Sequence, residues 1–517
     1  MTSAAMYFDR GRSSAPNGLA FVTDDESWTY DEAGRMVNRL ANAMAERGIA
    51  KDSVVAVLSP NSPTAWFCVL ATWRLGATWV PLNPDYPSDD MAELLNRFDV
   101  DMLIYSPLLG DRVEELRERN TSVSALSALG EGAADGNLLA RAAEQSDEHQ
   151  AADVDSDDVA VISPTGGTTG LPKGVMITHR NISIMVAHQM LALEYGPHEK
   201  QVNLVAAPMT HSAGFVTLQA TARGGTVVII PRATADGVLS AVKKYSVTET
   251  FLPPTVIYRL LDKLQSQPRT DYTLRHLIYG AAPMSTEKLR QGIDMLGPVF
   301  VEVYGQMEAV AAIALMRPDE HLGENGQPAD DYRLSSCGRP CPLIEVTIRD
   351  PENLEELATG ETGEVCVRGD LVMKGYYKDP EKTAQTIVNG WLRTGDLGHC
   401  DQEGYLHITD RLKDLIISGG FNVYPSEVEQ AIWGHPAVMD CAVIGVPHDD
   451  WGEQVCAFVE LNVGAEATEE ELRKYCRERL GPVRTPKEFN IEVLPRSANG
   501  KVLKKVLRER RILGARR

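Results

Sequence analysis

The chain alternates short, almost wholly apolar runs with longer stretches in which apolar residues recur every third or fourth position. VVAVLSP at 54–60, ATWVPL at 77–82, VNLVAAP at 202–208 and GTVVIIP at 225–231 are rich in β-branched residues and bounded by Gly, Pro or polar turns. Such runs predict strands buried on both faces, because a half-exposed strand alternates apolar with polar side chains. Between them, YDEAGRMVNRLANAMAERG at 30–48 spaces Met36, Leu40 and Met44 at helical intervals and predicts an amphipathic helix. Continuous apolar strands alternating with helices predict an α/β fold, with a large N-terminal domain of packed mixed or parallel sheets and helices.

The pattern changes twice. Residues 141–158, RAAEQSDEHQAADVDSDD, hold seven acids and almost no large apolar groups, and predict an exposed connector ahead of the strand VAVISP. The C-terminal part reads as a small, mobile α+β domain in which Thr468 and Glu471 have capping-box spacing. Leu472, Cys476 and Leu480 then line one helix face. We expect residues 1–412 to form the first domain and residues 413–517 the second. There are no internal repeats.

Composition narrows the function classes. A chain of 517 residues is too long for one ordinary core. Its net charge of −21, from 51 basic and 72 acidic residues, argues against a surface built to bind nucleic acid or anionic lipid. A local basic site can still take an anionic substrate. The eight cysteines include no CxxC pair, and Cys337 and Cys341 lack Cys or His neighbours at zinc-ligand spacing, so free thiols in a reducing compartment are expected. The first residues contain no apolar signal core, and no run approaches the ~18 apolar residues of a membrane span. A cytoplasmic protein without an integral membrane segment is expected.

The first stretch that carries chemistry is TGGTTGLPKG at 165–174. A Walker A loop needs its Lys directly after Gly and a hydroxyl behind it, but here Pro172 precedes Lys173 and Gly174 follows. Dinucleotide GxGxxG spacing fails as well. What remains is a Gly/Thr loop between the strand VAVISP and the helix-like THRNISIMVAHQML. Its N–H groups, hydroxyls and single ammonium suit a polyphosphate, and the plain alternative is a linker.

TGGTTGLPKG resembles the phosphate-binding signature of the adenylate-forming superfamily, which comprises acyl-CoA synthetases, peptide-synthetase adenylation domains and luciferases. Further motifs follow in the family's order. PMTHSAGF at 208–215 is similar to its substrate-side His segment, YGAAPMS at 279–285 to its adenine turn and VYGQMEA at 303–309 to its aromatic–Glu motif. WLRTGDLG at 391–398 resembles its ribose turn, DRLKDLIISGGFNVYP at 410–425 its hinge, and PRSANGKV at 495–502 its lysine loop.

The resemblance implies a reaction in two halves. A carboxylate attacks the α-phosphate of ATP and releases pyrophosphate; a thiol then attacks the acyl-adenylate and expels AMP. It assigns Thr165, Gly166, Gly167, Thr168, Thr169, Gly170 and Lys173 to the phosphates. Gly280, Ala281, Ala282, Pro283, Glu302, Val303, Tyr304, Gly305, Gln306 and Met307 fall to the nucleotide, with Asp396 and Arg411 on the ribose. Lys501 is implied as the ammonium that bridges carboxylate and α-phosphate, and Glu308 with Thr169 as the magnesium ligands. His211 counts among the reacting groups as a substrate-binding residue bordering the acyl pocket, not a general base. Lys413 takes the hinge position, and Ser418, Gly419, Gly420 and Phe421 would receive coenzyme A.

Met307 departs from the family pattern, which usually has Thr there. A thioether cannot donate a hydrogen bond to phosphate, so either Thr168 or Thr169 covers the loss or adenylation is weaker. Val303 stands where many fatty-acid and coumarate ligases of the family have Gly, and a β-branched side chain there should shorten the acyl tunnel. Ala213, Phe215 and Val310 complete an apolar pocket of modest length. The expected activity is therefore ATP-dependent ligation of an aromatic or short-to-medium apolar carboxylic acid to coenzyme A with Mg2+. The alternatives are a longer fatty acid, loading of an acyl-carrier protein, or a non-catalytic ligand-binding relative. The expected partners are small molecules and no nucleic acid, with a homodimer as the compatible assembly.

Overall fold

The computed structural model describes residues 3–119, 123–131, 136–165, 173–210, 212–265, 272–462, 464–496 and 502–514. Three sheets build the larger part of the molecule. A nine-stranded sheet is parallel through its centre, where Val202–Val205, Glu249–Phe251, His276–Gly280 and Phe300–Gln306 lie side by side. The hairpin partner Ala309–Met316 runs antiparallel along one flank. A seven-stranded sheet carries the buried runs Val54–Leu58 and Thr78–Leu82 in parallel register. A smaller antiparallel sheet holds Gly363–Arg368, Trp391–Cys400 and Leu406–Arg411.

Helix Pro63–Arg74 lies between the two large sheets and explains its own sequence. Nearly all of its residues are buried, as a helix that is apolar on every side requires. Phe67 packs edge-on against Phe21 of the nine-stranded sheet, and Trp73 donates its indole N–H to the carbonyl of Ala160 in the seven-stranded one. Trp66, Trp73 and Trp79 meet pairwise edge to face with ring centres 5.8–6.1 Å apart. Helix Tyr30–Glu46 is capped by Thr29 and Glu32. Its buried stripe runs through Val37, Leu40, Ala41 and Met44, while Met36 sits at the margin.

Two expectations are modified. Helix Leu138–Ala143 enters the acidic stretch and buries Ala142, so the irregular connector starts only after it. The phosphate loop does not lead from a strand into a helix. KGVMIT forms a further strand, Lys173–Thr178, paired antiparallel with Val159–Thr165, and helix His179–Ala192 begins behind it. The reason is compositional: Val175, Ile177 and Thr178 are β-branched and buried.

Beyond Asp414 the chain builds a fourth sheet with its own apolar clusters around Val443, Val455 and Phe489 and around Ile444, Phe458 and Leu507. The capping box at Thr468 and Glu471 opens helix Glu469–Arg484. Leu472 and Cys476 are buried, and Leu480 lies against the same cluster. All eight cysteines are free thiols, and seven of them are buried. No described helix is long and apolar enough to cross a membrane.

Candidate active site

The site is organised by strand Phe300–Gln306. Successive side chains of a strand point to opposite faces, and this strand divides its chemistry accordingly. Glu302 and Tyr304 share one face, on which the Tyr279 hydroxyl donates to Glu302 Oε2 at 3.1 Å. Val301 and Val303 share the other, packed with Val216, Ile278, Leu193 and Leu315. One strand therefore separates a polar compartment from an apolar one.

On the polar face, Tyr304 donates its hydroxyl to Asp396 Oδ2 at 2.8 Å, and Arg411 Nε stands 3.3 Å from Asp396 Oδ1. Asp396 and Arg411 are direct partners across neighbouring antiparallel strands. Burial and the adjacent carboxylate hold the Tyr304 phenol far above its ordinary pKa, so it stays a donor. The turn before Asp396 is pinned by a residue outside the sequence motifs. Glu364, almost fully buried, accepts the Gly395 N–H at 3.0 Å and binds the Arg393 guanidinium at 2.6 Å. Gln306 Nε2 reaches the Thr394 carbonyl at 3.3 Å. Desolvation pushes the half-buried Glu302 carboxyl up to about 8.

The adenine-turn residues follow strand His276–Gly280. Gly280 pairs with Val303, and a Cβ there would lie 2.3 Å from the Val303 carbonyl oxygen, so the position admits only glycine without backbone movement. Ala281 has φ +66°, a left-handed conformation that L-residues rarely hold. Ala281 and Pro283 are exposed, and Ala282 is half-buried. Gln430 of the C-terminal part donates to the Met284 carbonyl at 3.1 Å, which brings that part against this turn.

Of the residues expected at the phosphates and the metal, Thr165 lies beside Lys173, and Lys173 and Glu308 meet the same tyrosine. Thr165 and Lys173 face each other at the ends of their paired strands. Gly166, Gly167, Thr168, Thr169 and Gly170 lie outside the described residues, as do His211 and Lys501. Met307 and Glu308 form the turn between Phe300–Gln306 and Ala309–Met316. Glu308 Oε1 accepts the hydroxyl of Tyr376 at 2.8 Å, and the Lys173 ammonium stands 5.0 Å over the same ring. Burial, then the positive field of Lys382, lowers the Lys173 pKa. Met307 turns its thioether to the apolar core. Glu308 offers the hard oxygen donor that Mg2+ prefers, and among the described residues nothing bonds its Oε2.

On the apolar side, helix Ser212–Ala222 supplies Ala213, Phe215 and Val216. Val216 meets Val303, whereas Ala213, Phe215 and Val310 belong to the adjacent central core, with the Phe215 ring 6.2 Å from Trp79. Lys413 is exposed in the short turn Leu412–Asp414. Ser418 and Phe421 are paired across a two-residue hairpin turn, with Gly419 at φ +58° and Gly420 at φ +81°. Such a turn needs positive φ at both central positions. Phe421 is 61% exposed, so this hairpin presents an aromatic side chain to solvent.

Tyr376 and Glu364 were not legible as site residues. Each lies outside the recognised motifs, and their contacts cross 68 and 31 sequence positions. A lone Glu inside the apolar run GEVCV was the only local signal.

Comparison with known proteins identifies the family. The family described as "AMP-binding enzyme" matches residues 8–377, and "AMP-binding enzyme C-terminal domain" matches residues 427–501. A feruloyl-CoA synthase from Amycolatopsis sp is 35% identical over 508 residues, covering 97% of each chain. A medium/long-chain-fatty-acid–CoA ligase from Mycobacterium tuberculosis is 33% identical, covering 94% of this chain and 86% of the relative. The solved structure of an amide bond synthetase from Marinactinospora thermotolerans superposes with a TM-score of 0.87 at 33% identity, over 98% of this chain and 99% of that one. The class that fold and site define is the AMP-forming acid–thiol ligases. The chain belongs to the AMP-binding enzyme family within the adenylate-forming superfamily.

Proposed function

We propose that this chain is an ATP-dependent carboxylate–CoA ligase acting on an aromatic or short-to-medium apolar acid. The observation that carries the reading is the division made by strand Phe300–Gln306. Tyr304, Asp396 and Arg411 converge on one face, which suits a nucleotide, and Val303 sits on the other among Leu193, Val216, Ile278 and Leu315.

The nucleotide lies with its base by Tyr304 and the turn at Gly280–Pro283, and its ribose hydroxyls on Asp396. Arg411 supports that carboxylate. Lys173 and the Thr/Gly loop hold the phosphates. Glu308 and Thr169 would hold Mg2+, which supplies positive charge against the polyphosphate when bound. The substrate carboxylate attacks the α-phosphorus, the bond to the bridging oxygen breaks, and pyrophosphate leaves with that electron pair. Lys501 offsets the negative charge that gathers between two anionic reactants. The CoA thiolate then attacks the acyl carbonyl, and AMP departs with the acyl C–O electron pair.

Residues 1–412 form the ATP- and acyl-binding domain, and residues 413–517 rotate about Lys413 between the two halves, exchanging Lys501 for the Ser418–Phe421 turn. His211 borders the acid. Among the described residues those packed with Val303 are mostly aliphatic, which favours an apolar acyl group, and the β-branched Val303 side chain limits depth. The enzyme works in the cytoplasm on small molecules, and a homodimer is a compatible assembly.

The test is pyrophosphate release with ATP and Mg2+ across benzoates, cinnamates and short to long fatty acids, with and without CoA. Release with apolar acids of one class, and thioester only when CoA is present, is the expected result. Adenylate without thioester would move the acceptor to a carrier protein, and preference for long chains would overturn the pocket reading.

A further inference from the structure

Tyr376 stands between the two phosphate-side groups. It is 5% exposed, with its hydroxyl on Glu308 Oε1 and its ring face beneath the Lys173 ammonium. The backbone fixes this position from both sides. The Met373 N–H donates to the Glu308 carbonyl at 2.8 Å and Val372 bridges to Ala309, while the Lys374 N–H donates to Met176 at 2.9 Å and the Tyr377 N–H to Gly174 at 2.7 Å. Residues 372–377 thus stitch the Glu308 turn to the strand of Lys173. Gly375, at φ +143°, lets the segment pass Thr383, against whose Cγ2 a Cβ would lie at 2.8 Å. The Thr383 hydroxyl in turn accepts the Tyr376 N–H at 2.9 Å.

A half-buried lysine and glutamate that contact the same side chain can collapse into an ion pair, and each is then spent on the other instead of on ATP. A phenol prevents that. Its face attracts the cation, its hydroxyl donates to the anion, and neither charge is neutralised. Among the described residues Lys173 and Glu308 form no ion pair, as this arrangement requires.

We propose that Tyr376 is a positioning residue for the adenylation half-reaction, holding Lys173 and Glu308 apart as separate charges aimed at a metal–polyphosphate. The inference rests on the assignment of those two residues made above.

The test uses the full-length enzyme, its Tyr376→Phe and Tyr376→Leu variants, and Glu308→Gln as control. Adenylation is followed by pyrophosphate release, and the second half-reaction by thioester formation from supplied acyl-adenylate. Mn2+ binding in the presence of ATP is read by electron paramagnetic resonance. Tyr376→Phe should lower adenylation by about tenfold or more, the loss of one hydrogen bond to a charged group. It should weaken Mn2+ binding and leave the second half-reaction within about twofold. Tyr376→Leu should in addition raise KM for ATP, because Lys173 loses its ring. Equal losses in both half-reactions would reduce Tyr376 to a packing residue and overturn the proposal. Loss in Glu308→Gln with none in Tyr376→Phe would overturn it while leaving the Glu308 assignment intact. No effect in either variant would remove the Glu308 assignment and this inference with it.

Discussion

Asp396 receives the Tyr304 hydroxyl on one oxygen and faces Arg411 with the other, so its orientation is set by two strands at once. Asp396→Asn keeps the shape but loses the charge, and should lower kcat/KM for ATP by about ten- to hundredfold through KM, as steady-state kinetics would show. Glu302 supplies a pH signature. Its carboxyl keeps a proton up to about 8 in the folded chain against an ordinary 4.5, so the folded state binds more protons across that window. Stability from this group is greatest below pH 4.5 and declines as pH rises towards 8. Glu302→Gln should flatten that decline in thermal melts run between pH 6 and pH 8, and an unchanged slope would assign it to other groups. Met307→Thr exchanges a core-facing thioether for a hydroxyl and should cost about 1 kcal/mol of stability while leaving adenylation equal or faster. These residues show what a motif carries: residue types at a spacing. The partner of each, such as Tyr376 for Glu308, lies elsewhere in the chain.

Among elements, the helix at Lys504–Gly514 is tied down in part by a half-buried ammonium. Lys504 Nζ pairs with Glu429 Oε1 at 2.7 Å, and the same carboxylate oxygen accepts the Val443 N–H at 2.7 Å. Desolvation dominates at Glu429 and pushes it up to about 7 despite that cation. Lys504→Met would strand the acid, and should destabilise this part by about 3–5 kcal/mol in urea unfolding of the full chain. The elements legible beforehand were those with strong periodicity, including the buried strands at 54–60 and 77–82 and the helix at 30–48. Strand Lys173–Thr178 was missed because four apolar or β-branched residues between a Gly/Pro loop and a helix offer too short a window for a period to emerge.

At the scale of the molecule, three sheets precede Asp414 and a fourth, with its own apolar clusters, follows it. Asp414 pairs with Arg508 at 2.6 Å, so the C-terminal helix meets the chain beside the proposed pivot. If rotation about residue 413 links the half-reactions, Lys413→Pro, with its fixed φ and missing N–H, should spare adenylation and slow thioester formation by about tenfold or more. Pyrophosphate and thioester measured in parallel check this; equal slowing of both would place the pivot elsewhere.

The order of motifs along the chain determined the family, because the chemistry of phosphate, ribose and carboxylate demands particular side chains that a sequence displays directly. The apolar runs determined buried strands and an α/β class, since burial on two faces leaves no room for polar alternation. Tertiary structure alone decided that Glu302 and Tyr304 lie on the opposite face of Phe300–Gln306 from Val301 and Val303, that Glu364 holds the turn before Asp396, and that Tyr376 stands between Lys173 and Glu308. Those facts depend on which strands become neighbours. Neighbouring strands are chosen by the packing of the whole core, and no local stretch of sequence contains that choice.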